Sequence, residues 1–454
     1  MNLDRANPRG RMAVSGCRGR PAEGWLVVAA AIAALPPGAI AADLPLAGHV
    51  RSTSGLGDVH EAAAAWESLD GGQLTLRATD RGGTVWATVP TASGGWDLAR
   101  RAVVAAEITN VGQAPVDVSL WVVADRGWEP VGDHAQLEPG EGRRFVCPLR
   151  QAFPDGTPKL DPDRVTGIRV MLRKAGPGAA VRAGRFTAVG EAGRWQRPAG
   201  RIETPPIEED APAAGRRVRH RLPGDERRAI HCLLALPRDW QPGRTYPLIV
   251  EYPGNIFFVP GCFSTGLPDQ CVIGHGMTQG SGAIWVSLPF IDAAADRIVA
   301  DGWGDPDDTA DYALRVVEHL CERFGADRSK VVLTGFSRGA IACGFIGLRN
   351  ERVASLWKAF HLCQHFDGDG WGGADLAGAV ARARRFRGAA VFHTDNAQEG
   401  VRPITEAMGV PARFVSSGLG AHATAMFLDD RESTGCLRRW FRDLVADSPP
   451  TAPD

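Results

Sequence analysis

Tyrosine is scarce in this chain of 454 residues, with 3 copies against 13 tryptophans, and neither charge sign is in excess. Lys+Arg 51 against Asp+Glu 52 gives a formal net charge of -1. Such a balance removes the long-range field that would draw the chain to nucleic acid or to an anionic membrane surface, and a neutral or small partner is expected. None of the nine cysteines forms a C-x-x-C pair or a Cys/His quartet, which argues against structural zinc. No internal repeat is visible. After the first forty or so residues no apolar run approaches the roughly 20 residues needed to span a bilayer.

What is present is an ordinary globular composition, 44% hydrophobic and 23% charged, in a chain long enough for two domains with separate cores. The N-terminus carries Arg5, Arg9, Arg11, Arg18 and Arg20, then an apolar run from Trp25 to Leu35, then Pro36, Pro37 and the small-residue site Ala39-Ile40-Ala41. This is the layout of a secretory signal, with cleavage expected near Ala41 and Met12 as a second possible start. Residues 1–41 are therefore expected to be removed, leaving a secreted or periplasmic protein with no membrane segment. Removing Cys17 leaves eight cysteines in a compartment where disulfides persist. Cys262 and Cys271, in a Gly/Pro-rich loop, are the expected pair; Cys232, Cys321, Cys343, Cys363 and Cys436 sit in apolar runs that suit buried thiols.

Residues 43–190 alternate apolar and polar positions between Gly, Pro and Asp turns, as in Leu74 to Ala78, Val103 to Ile108, Val116 to Val123, Arg144 to Val146 and Gly167 to Leu172. That pattern predicts an antiparallel sandwich. Trp96-Asp97-Leu98 and Asp161 to Ile168, each preceding a strand, resemble the galactose-binding-like jelly rolls attached to polysaccharide enzymes; the resemblance implies a carbohydrate-binding domain. Residues 191–219, rich in Pro, Ala, Arg and Glu, read as a linker, and 448–454 as a disordered tail. From 220 to 447 strand-like runs (Cys232 to Leu236, Leu248 to Glu251, Ala283 to Leu288, Val331 to Leu333, Ala389 to His393, Arg413 to Ser416) alternate with helical segments (Thr309 to Phe324, Gly435 to Val445). This alternation predicts a doubly wound, mostly parallel α/β sheet.

Gly335-Phe336-Ser337-Arg338-Gly339 fits the G-x-S-x-G elbow. With 55 glycines in the chain about 0.2 such matches arise by chance, so context decides. A buried-strand run, Lys330 to Thr334, precedes the motif, and a small-residue helix start, Ala340 to Phe345, follows it. A strained serine at a strand-to-helix turn needs small flanking residues, which gives both glycines a steric purpose. Serine is a weak nucleophile and needs a base. His422, in the Gly-rich loop Ser417 to Thr424, is the candidate, while His361 and His393 in apolar runs suit the core. Asp395, after the run Ala389 to Thr394, is the expected acid; Glu399 is the alternative and Asp367 a third. Arg338 N–H is expected to supply one oxyanion donor. Since Pro253 has no N–H, Gly254 or Asn255 supplies the other, with the Asn255 side chain as a further candidate. Trp303 and Trp371, in Gly/Asp-rich loops, are candidate sugar-stacking residues against a default of core burial. His361, His365, Asp367 and Asp369 lack a clean ligand pattern, so no metal and no cofactor is expected.

Across residues 225–445 these features resemble the α/β-hydrolase superfamily, within it the secreted acetylxylan and feruloyl esterases and their depolymerase relatives. The resemblance maps Ser337, Asp395 and His422 onto that family's nucleophile, acid and base, and departs from it where Pro253-Gly254 replaces the usual His-Gly. It implies a Ser-His-Asp esterase that removes acetyl or feruloyl groups from polysaccharide. Two other functions remain open on the residues alone: a serine peptidase of the same fold, and an inactive hydrolase fold that binds carbohydrate.

Overall fold

A computed structural model describes residues 44–446, apart from residues 58, 61, 68–71, 81, 92–94, 125–129, 227 and 260–261. The expected leader, Cys17 and the expected tail lie outside the described residues. The chain is of mixed α/β type and builds three large sheets.

Two antiparallel sheets come from the first part of the chain. One orders the strands Ala62–Glu67, Gln73–Ala78, Ala180–Glu191, Arg101–Asn110 and Gly142–Pro148, with Leu44–Pro45 added on Ala180–Glu191. The other orders Val59–His60, Gly83–Pro90, Val165–Ala175, Val116–Ala124 and Val131–Leu137. Alternation does what the sequence reading requires: Leu74, Leu76, Ile108 and Phe145 of the first sheet share one core with Val85, Leu120, Val170 and Leu172 of the second. The second sheet is apolar on both faces. Its intervening residues Trp86, Trp121 and Met171 point the other way and are buried against Ile256 and Ala300 from the later part of the chain. A large buried aromatic face of this kind contributes mainly through the apolar area it removes from water.

The stretch expected to be a linker is fastened instead. Ile207–Glu208 pairs with Arg217–His220 at one edge of the third sheet, Ile202 N–H donates to Leu428 O, and Arg201 pairs with the buried Asp161 at 3.2 Å. A segment poor in apolar residues can still be ordered when its charges and backbone find fixed partners.

The third sheet has nine strands. Ile207–Glu208, Arg217–His220 and Cys232–Ala235 form one flank, where Cys232–Ala235 runs antiparallel to Ile284–Ser287. From Ile284–Ser287 the order continues through Tyr246–Tyr252, Ala326–Phe336, Ala359–Cys363, Ala390–Thr394 and Ala412–Val415, all parallel. The expected runs all form strands here, and Ala359–Cys363 adds one that the sequence reading did not pick out. The helix Pro306–Phe324 is three residues longer at its start than expected, because Asp305 caps it by accepting from the N–H groups of Asp307 and Asp308. Glu251, a carboxylate in a buried strand, accepts from the N–H groups of Val272, Ile273 and Gly274 and from the Trp285 indole; burial nevertheless raises its pKa.

After Tyr246–Tyr252 the chain turns to one side of the sheet, to Ile284–Ser287, and then returns to lay Ala326–Phe336 on the other. The crevice beyond the carboxyl ends of these two strands is therefore a topological switch point, where open parallel sheets place their ligands. Tyr252 leads there into Pro253 and Gly254, and Phe336 into Ser337.

Candidate active site

Ser337 stands between the strand Ala326–Phe336 and the helix Arg338–Phe345 with φ 54° and ψ −119°. A positive φ is costly for a residue with a Cβ and persists only where the surroundings impose it. The flanking glycines permit that geometry. A Cβ on Gly335 would lie 2.2 Å from the Gly339 carbonyl carbon, and one on Gly339 would lie 2.1 Å from Tyr252 O. Any larger residue at either position would push strand, helix and the Tyr252 turn apart.

The strain is shared along the sheet. Three adjacent parallel strands are each followed directly by a non-glycine residue at positive φ: Ser337 at 54°, Gln364 at 66° and Asp395 at 55°. Each donates its N–H to the last residue of the next strand: Ser337 to Cys363 O, Gln364 to Thr394 O and Asp395 to Val415 O, at 2.9–3.1 Å. The ladder thus runs one residue past the strands before the backbone turns at all three positions.

His422 Nε2 lies 2.9 Å from Ser337 Oγ. Its ring packs at 4.6 Å against Phe336 and edge-on at 5.3 Å against His365. Burial, and the neighbouring His365, lower its pKa to about 4, so the imidazole is neutral at neutral pH. A neutral imidazole at that distance can take the serine proton. The loop carrying it is held at several points: Gln364 Nε2 donates to Ala421 O at 2.7 Å and Arg431 Nη1 to Ser417 O at 2.8 Å.

Asp395 lies on the same rim, half-buried. Its carboxylate accepts from Ser417 N–H at 2.6 Å and from Ser417 Oγ at 2.5 Å, at the start of the loop that ends in His422. Glu399 is exposed in the first turn of the helix Gln398–Met408. Asp367 is buried and paired with Arg382 through two contacts of 2.8 Å, which gives it a structural partner away from the serine.

The turn after Tyr246–Tyr252 holds Gly254 buried, where a Cβ would meet the Phe336 ring at 2.9 Å. The Asn255 side chain is already committed. Its amide donates to Asp301 Oδ1 at 2.8 Å and its carbonyl accepts from Gly302 N–H at 2.9 Å, so the side chain ties two loops together rather than offering a donor to a reacting carbonyl. The Arg338 side chain is fully buried, a feature the sequence reading passed over.

Trp303 is a core residue, 9% exposed, with one face stacked on Phe345 and its edge region against Trp371; its indole N–H donates to Gly372 O. It has no open face for a sugar ring. Trp371 is half-buried beside it, next to Asp369, which accepts from the Trp371 N–H and from His365. His361 bonds Thr334 and Thr394 and is held near a pKa of about 3 by burial, as a core histidine would be. Cys271 is a free, buried thiol, and so are Cys147, Cys232, Cys343, Cys363 and Cys436. The expected pairing of Cys271 with Cys262, whose side chain lies outside the described residues, is thus corrected: Cys271 is enclosed with Glu251 and Arg217, and burial drives its thiol pKa far up.

No family model and no curated protein matches the chain. Solved structures align to parts of it. An exo-beta-agarase aligns over 31% of this chain and 23% of its own at 15% identity and TM-score 0.24. Two fungal esterases from Rhizomucor miehei are represented by an alignment over 47% of this chain and 79% of theirs at 14% identity and TM-score 0.34. The isopeptidase AtxE2 aligns over 87% of this chain and 63% of its own at 14% identity and TM-score 0.39. The chain thus spans less than two thirds of the agarase and of the isopeptidase. At these scores the likenesses assign no activity.

Proposed function

We propose that this chain is a serine hydrolase of the α/β-hydrolase type, a doubly wound sheet preceded by a jelly-roll sandwich, that cleaves carboxylic esters. The observation that carries the reading is Ser337, strained at φ 54° on a strand-to-helix turn, with its hydroxyl 2.9 Å from the imidazole of His422. His422 takes the hydroxyl proton while Ser337 Oγ bonds to the ester carbonyl carbon. The resulting oxyanion sits against the N–H groups of Arg338 and of the Gly254-Asn255 turn. His422 then gives its proton to the departing alcohol, leaving an acyl-serine. Water, deprotonated by the same imidazole, attacks that acyl group and releases the acid and free Ser337. Asp395 is the acidic member, acting where it holds the Ser417–His422 loop. No cofactor enters the cycle.

Acyl groups on an extracellular polysaccharide are the proposed substrate, and a secreted or periplasmic location the proposed setting. The leader-like N-terminus and the sandwich support both. Hydrolysis of p-nitrophenyl acetate and acetylated xylan by the protein beside its Ser337→Ala variant tests the reading. Full activity in the variant sinks the mechanism. Serine-dependent cleavage of peptide substrates with inert esters would turn the assignment to a peptidase.

A further inference from the structure

Arg338 immediately follows the reacting serine, and its side chain turns away from the crevice into the protein. Nη1 donates to Gly302 O at 2.6 Å and to Val299 O at 3.4 Å, and Nη2 to Gly254 O at 2.9 Å and Gly266 O at 2.8 Å. Its Cζ stands 3.8 Å from the centre of the Phe290 ring. These partners are carbonyls and a ring face; among the described residues no carboxylate is in ion-pair contact with it, and the charge of Asp301 offsets its burial only in part. A fully buried cation in such surroundings is costly, and burial brings its pKa down to about 9. A simple helix start would be served by any residue with an N–H, so the guanidinium needs a reason of its own.

One of the four carbonyls supplies that reason. Gly254 C=O and Asn255 N–H belong to the same peptide unit, which is planar and trans, so the two groups point in opposite directions. With the Gly254 oxygen drawn onto the buried guanidinium, the Asn255 N–H is turned away from it. Among the described residues neither the Asn255 N–H nor the Arg338 N–H has an acceptor. The other side of the turn is fixed as well: the Asn255 side chain bridges Asp301 and Gly302, and Gly302 O is itself a partner of Arg338. Pro253 cannot compete as a donor.

We propose that the Arg338 side chain is a positioning residue that locks the Gly254–Asn255 peptide plane, so that the Asn255 N–H is the second oxyanion donor beside the Arg338 N–H. One residue then sets both halves of the hole: its backbone supplies one donor and its side chain aims the other. A rigid fork of five N–H donors can hold several carbonyls at fixed angles, whereas an ammonium cannot reach them together.

The inference rests on the serine-hydrolase reading, and Ser337→Ala separates the two. If that variant keeps activity on p-nitrophenyl acetate, the reading itself fails. If it is inert, Arg338→Lys and Arg338→Met are measured, both of which retain the backbone N–H. A misaimed donor should lower kcat about 100-fold and slow fluorophosphonate labelling in parallel, with KM changed less than about threefold. The pH midpoint of kcat/KM should stay where it is, because His422 is untouched. A cooperative melt and an unchanged far-ultraviolet spectrum establish that a variant is folded. Wild-type kcat in either folded variant would overturn the proposal, as would a loss confined to KM. If neither variant folds, Arg338 is a folding residue and the positioning role is likewise overturned.

Discussion

Asp395 grips Ser417 with both carboxylate oxygens, one on the backbone N–H at 2.6 Å and one on the hydroxyl at 2.5 Å, five residues ahead of His422. The carboxylate at the end of one strand thereby fixes the start of the loop that carries the imidazole. Two consequences separate this from a carboxylate that is only nearby. Asp395→Asn weakens both anchors and should lower kcat by up to about 10²-fold, the scale on which a slightly misplaced reacting group loses rate. Ser417→Ala removes one of the two anchors and should cost about tenfold. Glu399→Gln, exposed on its helix, should leave kcat within about twofold. Steady-state kinetics on the three variants would reassign the acid if Glu399→Gln were the damaging one.

The depressed pKa of His422 gives the pH profile a sign. The neutral imidazole is the active form, so kcat/KM should be flat near neutrality and fall with acid around a midpoint of about 4, well below the ordinary histidine value. A midpoint near 6.5 in the kcat/KM profile would contradict the buried environment described for this ring.

The same burial makes stability acid-sensitive. His220 and His275 are held to about 4, and His361 and His393 to about 3, in each case mainly by burial. The unfolded chain protonates these rings near 6.5 while the folded chain does not, so the unfolded state binds more protons as the pH drops. Their contribution is complete above about 6.5 and is lost as pH falls towards 4 and then 3. Thermal melts across that window should show Tm declining, with no comparable decline between pH 7 and 8.

Gly335→Ala and Gly339→Ala place a methyl group 2.2 Å and 2.1 Å from backbone atoms that cannot move alone. Each should destabilise by at least about 1–3 kcal/mol, the usual cost of overpacking, and reduce fluorophosphonate labelling of Ser337. Labelling at the wild-type rate in either variant would mean that the turn does not depend on close backbone approach.

Trp86 is completely buried where the second antiparallel sheet meets Ile256 and Ala300. Trp86→Ala should lose about 3–5 kcal/mol in urea unfolding. Because Ile256 directly follows Asn255, kcat on p-nitrophenyl acetate should fall too. An unchanged kcat in a destabilised protein would make this sheet a neighbour with no bearing on the site.

Local pattern alone carried the sequence reading a long way. The alternation in Leu74 to Ala78 and the apolar runs around Val250 and Val331 each encode one strand, because side-chain period and burial are properties of a few consecutive residues. The tight strand-to-helix turn at Ser337 was legible for a related reason: the glycines that permit it lie within two residues of the serine. Length and a histidine do not explain why the strand Ala359–Cys363 escaped, since Ala390–Thr394 is equally short and carries His393; His361 finds its partners only when Thr334 and Thr394 of the neighbouring strands meet it. Trp303 could not be decided from sequence between stacking and core burial, since indole in a glycine-rich loop looks the same whether its faces meet solvent or Phe345.

What the sequence determined by itself is the strained serine, the small residues that permit it, the division into strands and helices, and the balance of charge, all of which depend on neighbours along the chain. Which partners meet across the chain was decided by the tertiary structure alone. Ser417 lies 22 positions from Asp395, and Gly254 lies 84 positions from Arg338. The free thiol of Cys271 and the covered face of Trp86 belong to the same class. A hydrogen bond or a buried face depends on distance and angle in space, and residue types separated by tens of positions carry no record of either until the sheet has brought them together.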